Sequence, residues 1–139
     1  MTIQAVRGLL QAQLLTLGWE AQTSYEGKGF IGAAPDALTP YQEVDFTFAE
    51  PLPISLSGSS DEERGLFQVR LLWPVSIVKA NGTGAPTARA QAIRDAFPRN
   101  LILTGSGAKV RITRKAQTQR APIQGDRDVT LVRIRFSDR

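Results

Sequence analysis

The chain has 139 residues, 42% hydrophobic and 22% charged, which fits one globular domain (residues 1–139) with room for a real core. Seventeen Lys+Arg against thirteen Asp+Glu leave a net charge of +4, a milder bias than a nucleic-acid binder with one basic face carries. With no cysteine and no histidine, disulfides, thiolate nucleophiles, Cys/His zinc sites and Ser-His-Asp or Cys-His catalysis are excluded.

The N-terminus, Met1 to Arg7, has no basic region followed by an apolar core, so no signal peptide is expected. No apolar run approaches the ~20 residues that span a bilayer, so no membrane role is expected. Residues 2 to 17 place Ile3, Val6, Leu9, Leu10, Leu14 and Leu17 at helical spacing, with Gln4, Arg7, Gln11 and Gln13 off the stripe. Gly18 stands where such a helix would stop. Residues 19 to 41, broken by Pro35 and Pro40, read as a long irregular connection with one short strand near Phe30-Ile31.

Glu43 to Phe48 alternates polar and apolar strictly, the pattern of a strand with one buried face, and Pro51 and Pro53 end it. Leu56 to Gly65, with its Gly58-Ser59-Ser60 and Asp61-Glu62-Glu63 runs, reads as an exposed, mobile loop. Leu66 to Trp73 is the next strand, with Phe67, Val69, Leu71 and Trp73 on one side and Pro74 limiting it.

The stretch "VKANGTGAPTARAQAIRDAF", residues 78 to 97, raises the possibility of a phosphate cradle. A P-loop needs Gly-x-x-x-x-Gly-Lys-Ser/Thr, and Gly82-Thr83-Gly84-Ala85-Pro86-Thr87 has neither the spacing nor the lysine. A dinucleotide fingerprint needs a third glycine where Thr87 stands. Pro86 removes a backbone N–H that a cradle would use, yet suits the first turn of a helix. The loop is a hinge leading from a strand into a helix near 85 to 97, whose apolar side would hold Ala88, Ala92, Ile93 and Phe97.

Two short strands follow, Leu101 to Leu103 and Ala108 to Arg114, around Gly105-Ser106-Gly107. Ala116 to Asp128 reads as a second polar loop, and Val129 to Phe136 as the last strand. The alternation argues for an α+β fold, a mostly antiparallel or mixed sheet with two main helices packed on one face. Asp126 and Asp128 lack the further acidic positions of a calcium loop, and Arg127 lies between them. Glu43 and Asp45 have no histidine or cysteine to work with. No catalytic residue, cofactor site or metal site emerges.

One pattern remains. The non-core sides of the predicted strands carry cations: Arg70 beside Gln68, Lys109 with Arg111 and Lys115, and Arg133 with Arg135; the first strand offers Glu43 and Asp45. Three readings fit: a solvated sheet face, a face meeting another subunit with cations opposite carboxylates, or a nucleic-acid groove. The last lacks a stacking platform, since Trp73 and Phe136 are predicted inward.

The order of these units resembles the tail terminator-like proteins of long-tailed phages. The resemblance rests on Arg64 to Leu71, the Gly82-Thr83-Gly84 loop, the helix from Ala88 to Phe97, the Leu103-Thr104-Gly105 to Ile112 unit and the closing strand Val129 to Phe136. It extends over most of residues 1 to 137 and is weakest over 19 to 40.

What the resemblance implies is a structural part of the virion with no cofactor, assembled in the host cytoplasm. Such a part forms a six-membered ring on the head-proximal end of the tail tube, stops tube growth and offers the head-docking surface. Its partners would be copies of itself, the tail tube protein and a head–tail connector protein, with passing contact to DNA in the lumen. Glu43, Asp45, Arg70, Arg111, Arg133 and Arg135 are the candidate interface residues, and the 56 to 65 and 116 to 128 loops would order on contact. The alternatives are another head–tail joining component, such as a tail completion or connector protein, or a small α+β ligand-binding domain using the 81 to 87 loop.

Overall fold

A computed structural model of the chain describes residues 3–48, 64–105 and 107–138. Residues 49 to 63, which hold most of the expected 56 to 65 loop, lie outside the described residues. The N-terminal helix, α1 (Ile3–Leu15), forms as its stripe requires: Val6, Leu10 and Leu14 are buried. It stops at Gly18, whose φ of 84° a side-chain-bearing residue would resist.

The connection expected to be irregular contains two strands. β1 (Thr23–Tyr25) and β2 (Gly29–Phe30) make a small antiparallel hairpin around Gly27 and Gly29, both at positive φ. β1 also pairs in parallel with β3 (Tyr41–Phe48), Ser24 lying opposite Glu43, so the sheet is mixed.

β3 runs antiparallel to β4 (Arg64–Pro74), and β4 to β8 (Arg127–Ser137). The strand order is β2-β1-β3-β4-β8-β6-β5, with β7 beside β8. Gly65 belongs to β4 rather than to a loop, because a Cβ there would lie 2.5 Å from the Thr47 carbonyl and 2.7 Å from the Phe136 ring. Only glycine lets both approach.

After Pro74 the chain turns into α2 (Val75–Asn81), a short helix with no buried residue, which the periodicity does not reveal. Gly82, at φ 80°, then leads through Thr83 into α3 (Gly84–Ala96). The glycine loop is thus a hinge between two helices, not between a strand and a helix. Pro86 sits in the first turn of α3, as expected. The buried side of α3 and its end is Pro86, Ala90, Ile93 and Phe97; Ala88 is exposed and Ala92 half-buried. Ile93 and Phe97 set the stripe, and stepping back by three and four residues gives positions 90 and 86.

β5 (Ile102–Gly105) and β6 (Ala108–Ile112) form the expected hairpin. The expected 116 to 128 loop is instead mostly β7 (Gln117–Gln124), hydrogen-bonded to β8 with a register shift between Ala121 and Gln124. The unpaired backbone along one side of β8 is what orders it.

One face of the sheet meets α1 and α3. Val44, Phe46, Phe67, Val69, Leu71, Val110, Ile112, Val132, Ile134 and Phe136 join the helix residues in one continuous core. Burial at ~25 cal/mol per Å² of apolar surface makes this contact the main source of cohesion. Phe67 is its centre, stacked on Phe46 at 4.7 Å and edge-on to Phe97 at 5.9 Å.

Candidate interaction surface

Among the described residues, neither α1 nor α3 lies against the other face of the sheet. The register sets its side chains in rows across β3, β4, β8 and β7. The first row is apolar: Tyr41, Leu72, Val129 and Ala121. The second is Glu43, Arg70, Leu131 and Gln119, and the third Asp45, Gln68, Arg133 and Gln117. The fourth holds Thr47, Leu66 and Arg135. Apolar character therefore gives way to charge along the strands.

The structure brings Glu43, Asp45, Arg70, Arg133 and Arg135 together on this face, with Arg111 on β6 opposite Ser137. Their pairing differs from a simple bank of cations awaiting a partner. Arg70 already reaches Glu43 within the chain, 3.5 Å apart, both about a third exposed. Arg133 is held between two amides, donating to Gln68 Oε1 at 3.4 Å and Gln119 Oε1 at 3.1 Å. Arg111 donates to Asn100 Oδ1 at 3.4 Å. Arg135 is exposed and has no ion-pair partner among the described residues.

Asp45 is the electrostatically unsatisfied member. Burial pushes its pKa above the ordinary carboxylate value and nearby Glu26 adds to this, while Arg70 offsets part of it. Glu26 itself is held by Arg7 at 3.4 Å and accepts a hydrogen bond from the Phe46 N–H at 3.3 Å. That bond satisfies a β3 edge donor just beyond where β1 stops pairing.

Periodicity gives no hint of the groups that fasten the first and last parts of the chain. The buried Arg127 guanidinium donates to the carbonyls of Thr39 at 2.6 Å and Asp36 at 2.9 Å, and lies 5.0 Å from the centre of the Tyr41 ring. It closes the apolar row and clips the 36 to 39 turn to β8. The Asp36 carboxyl, fully exposed, is held below its ordinary pKa by hydrogen bonds from Thr39 and the Leu38 N–H.

On the helix side, Gln42 donates to Thr23 Oγ1 at 2.9 Å, and Thr23 donates to the Trp19 carbonyl at 2.6 Å. Arg89 reaches Gln42 Oε1 and the Leu17 carbonyl and lies over the Trp19 ring at 4.2 Å. Trp19 keeps a φ of 66°, unusual for a bulky residue, because this network and Trp73 at 5.4 Å hold it from several sides.

A cleft between α3 and β7–β8 contains Thr83, Pro86, Arg94, Arg120 and Asp128, where Arg120 is ion-paired with Asp128. The 81 to 87 loop lines it through Thr83, Pro86 and Thr87, while Gly82 and Gly84 do not reach it. Among the described residues, no group of three or more His, Cys, Asp or Glu could hold a metal ion. No described helix is long and apolar enough to cross a membrane.

A family model described as "Phage tail terminator protein" matches residues 5–136. The chain belongs to the phage tail terminator family. The match runs from α1 through all but the end of β8, so the unclad sheet face and the clipped turn both lie within it. No curated protein matches the chain. A solved structure labelled only by a sequence identifier aligns with a TM-score of 0.74 at 19% identity, covering 100% of this chain and 96% of that one. It shows the shared fold. The family supports a structural, tail-related role and a place in the virion.

Proposed function

We propose that this protein caps the head-proximal end of the phage tail tube as a ring, ends tail polymerisation and presents the surface on which the filled head docks. The single observation that carries this reading is the family match over residues 5–136. The fold supports it physically: one sheet face is sealed by helices, and the other displays charged and amide side chains in register. A ring needs one surface of each copy to meet a different surface of the next, and a sheet with one unclad face and two unlike edges supplies unlike surfaces. A hexamer, the tail tube protein and a head–tail connector as neighbours, and DNA passing the lumen belong to the same proposal. So do attachment at the head-proximal end of the virion tail and the absence of catalysis.

The deciding experiment is negative-stain microscopy of particles from the parent phage with this gene disrupted. Overlong tubes of irregular length with free heads are expected. Tubes of normal length that fail to join heads would instead make the protein a completion or connector component. Normal infectious virions would overturn the structural reading and return attention to the Gly82 loop.

A further inference from the structure

The two lateral edges of the sheet are built from oppositely charged parts of the chain. Residues 19 to 48, which form β1 to β3, carry Glu20, Glu26, Asp36, Glu43 and Asp45 against Lys28 alone. Residues 102 to 124, which form β5 to β7, carry Lys109, Arg111, Arg114, Lys115 and Arg120 and no carboxylate at all. The strand order puts the first group at one extreme and the second at the other, with β4 and β8 between them. The modest net charge of +4 conceals this polarity.

The basic edge is also the structurally open one. β7 hydrogen-bonds to β8 alone, and seven of its eight residues are exposed. Where β8 passes from pairing with β7 to pairing with β6, a notch opens, lined by Arg94, Lys115, Gln117, Thr118 and Arg133 among others. Arg94 Nε is buried there with no hydrogen-bond partner. On the acidic edge Asp45 is half-buried and has no ion pair among the described residues, and Glu20 is exposed and equally without one. Glu26 already shows how a carboxylate can accept from an unpaired strand N–H, at Phe46.

We propose that these edges are the two halves of the subunit contact: the basic β5–β7 edge of one copy receives the acidic β1–β3 edge of the next. This rests on the ring reading above and deepens it, extending the contact from the sheet face to its sides. The occupant is a second copy because the complementary charge lies at the opposite end of the same sheet. An edge-to-edge contact of unlike surfaces repeats around a ring, and like edges repel, which enforces head-to-tail order. Carboxylates entering the notch would supply the acceptor that Arg94 Nε lacks.

The experiment is plasmid complementation of the gene-disrupted phage with charge reversals at exposed or half-buried residues, read as plaque titre and tail length. One variant reverses the basic edge, Lys109→Glu with Arg114→Glu and Lys115→Glu; the other reverses the acidic edge, Glu20→Lys with Asp36→Lys and Asp45→Lys. Each alone presents like-charged edges and is expected to fall to the level of an empty plasmid, with circular dichroism unchanged. Co-expressing both restores alternating complementary contacts and is expected to recover titre, as is a single chain carrying all six substitutions. Titre at wild-type level from either variant alone overturns the proposal. So does failure of both the mixture and the six-fold variant when the purified chains are folded. Neither result touches the capping role, which fails separately if the disrupted phage already makes normal virions.

Discussion

The two faces of this sheet have the same strands, the same register and opposite chemistry. On the helix-clad face, aromatic and branched side chains from six strands and two helices merge into one core centred on Phe67. On the other, the apolar contacts shrink to Leu72, Val129 and Leu131 with Tyr41 and Ala121, and the remaining rows are polar or charged. Since alternate residues of one strand serve both faces, the core and the charged outer surface are written in interleaved positions of the same segments. The core face can then resist substitution while the outer face remains free to vary its charges.

The sharpest way to break that contrast is to empty the core. Phe67→Ala should cost about 3–5 kcal/mol in chemical denaturation, a large share of the stability of a domain this size. Gly65→Ala comes next, at about 1–3 kcal/mol, because the added methyl would press on the Thr47 carbonyl and the Phe136 ring. Arg127→Ala should cost about 1–3 kcal/mol by releasing the Thr39 and Asp36 carbonyls and uncovering Tyr41. Hydrogen exchange should show the loss concentrated at residues 36 to 41.

On the outer face the expectation inverts. Reversing Arg133 and Arg135 to Glu should shift the unfolding midpoint little, by about 1 kcal/mol or less, yet abolish the tail capping proposed above. Normal capping by that variant would mean this face is simply solvated. The smallest effect concerns Asp45. Its folded pKa is raised, so its protonated form suits the fold, and stability is lost as pH rises through that value. Asp45→Asn should therefore be slightly more stable than the parent at neutral pH. The gain should vanish below the ordinary aspartate range, and an equal difference at both pH values would show that the raised pKa is not its cause.

Much of the core face was legible because its periods are clean. α1 follows from apolar positions at helical spacing, and β3, β4 and β8 from alternation. β7 was illegible for the converse reason: a strand with no buried residue has no apolar rhythm, so Gln117 to Gln124 resembles a polar loop until β8 supplies its partner. α2 buries nothing and left no stripe. β1 and β2 are three and two residues long, too short for any periodicity.

At the candidate surface, the shared face of Arg70, Arg133 and Arg135 follows from parity within each strand. That Glu43 stands opposite Arg70 depends on register across a connection of unknown shape, which parity does not supply. The Arg127 clip joins positions 88 and 91 residues apart, and only the folded chain brings them within reach.

The placement of β8 bears on how the protein is made. It is the last described strand, yet it sits in the middle of the sheet, pairing with β4 on one side and with β6 and β7 on the other. During synthesis β1 to β4 can pair among themselves and β5 with β6, but one side of β4 stays unpaired until residues 127 to 137 emerge. The nascent chain therefore passes through a window in which a sticky edge is exposed, and the two halves of the sheet join only when β8 arrives. Loss of those eleven residues would remove the seam that joins both halves of the sheet, and the single core under α1 and α3 could not close.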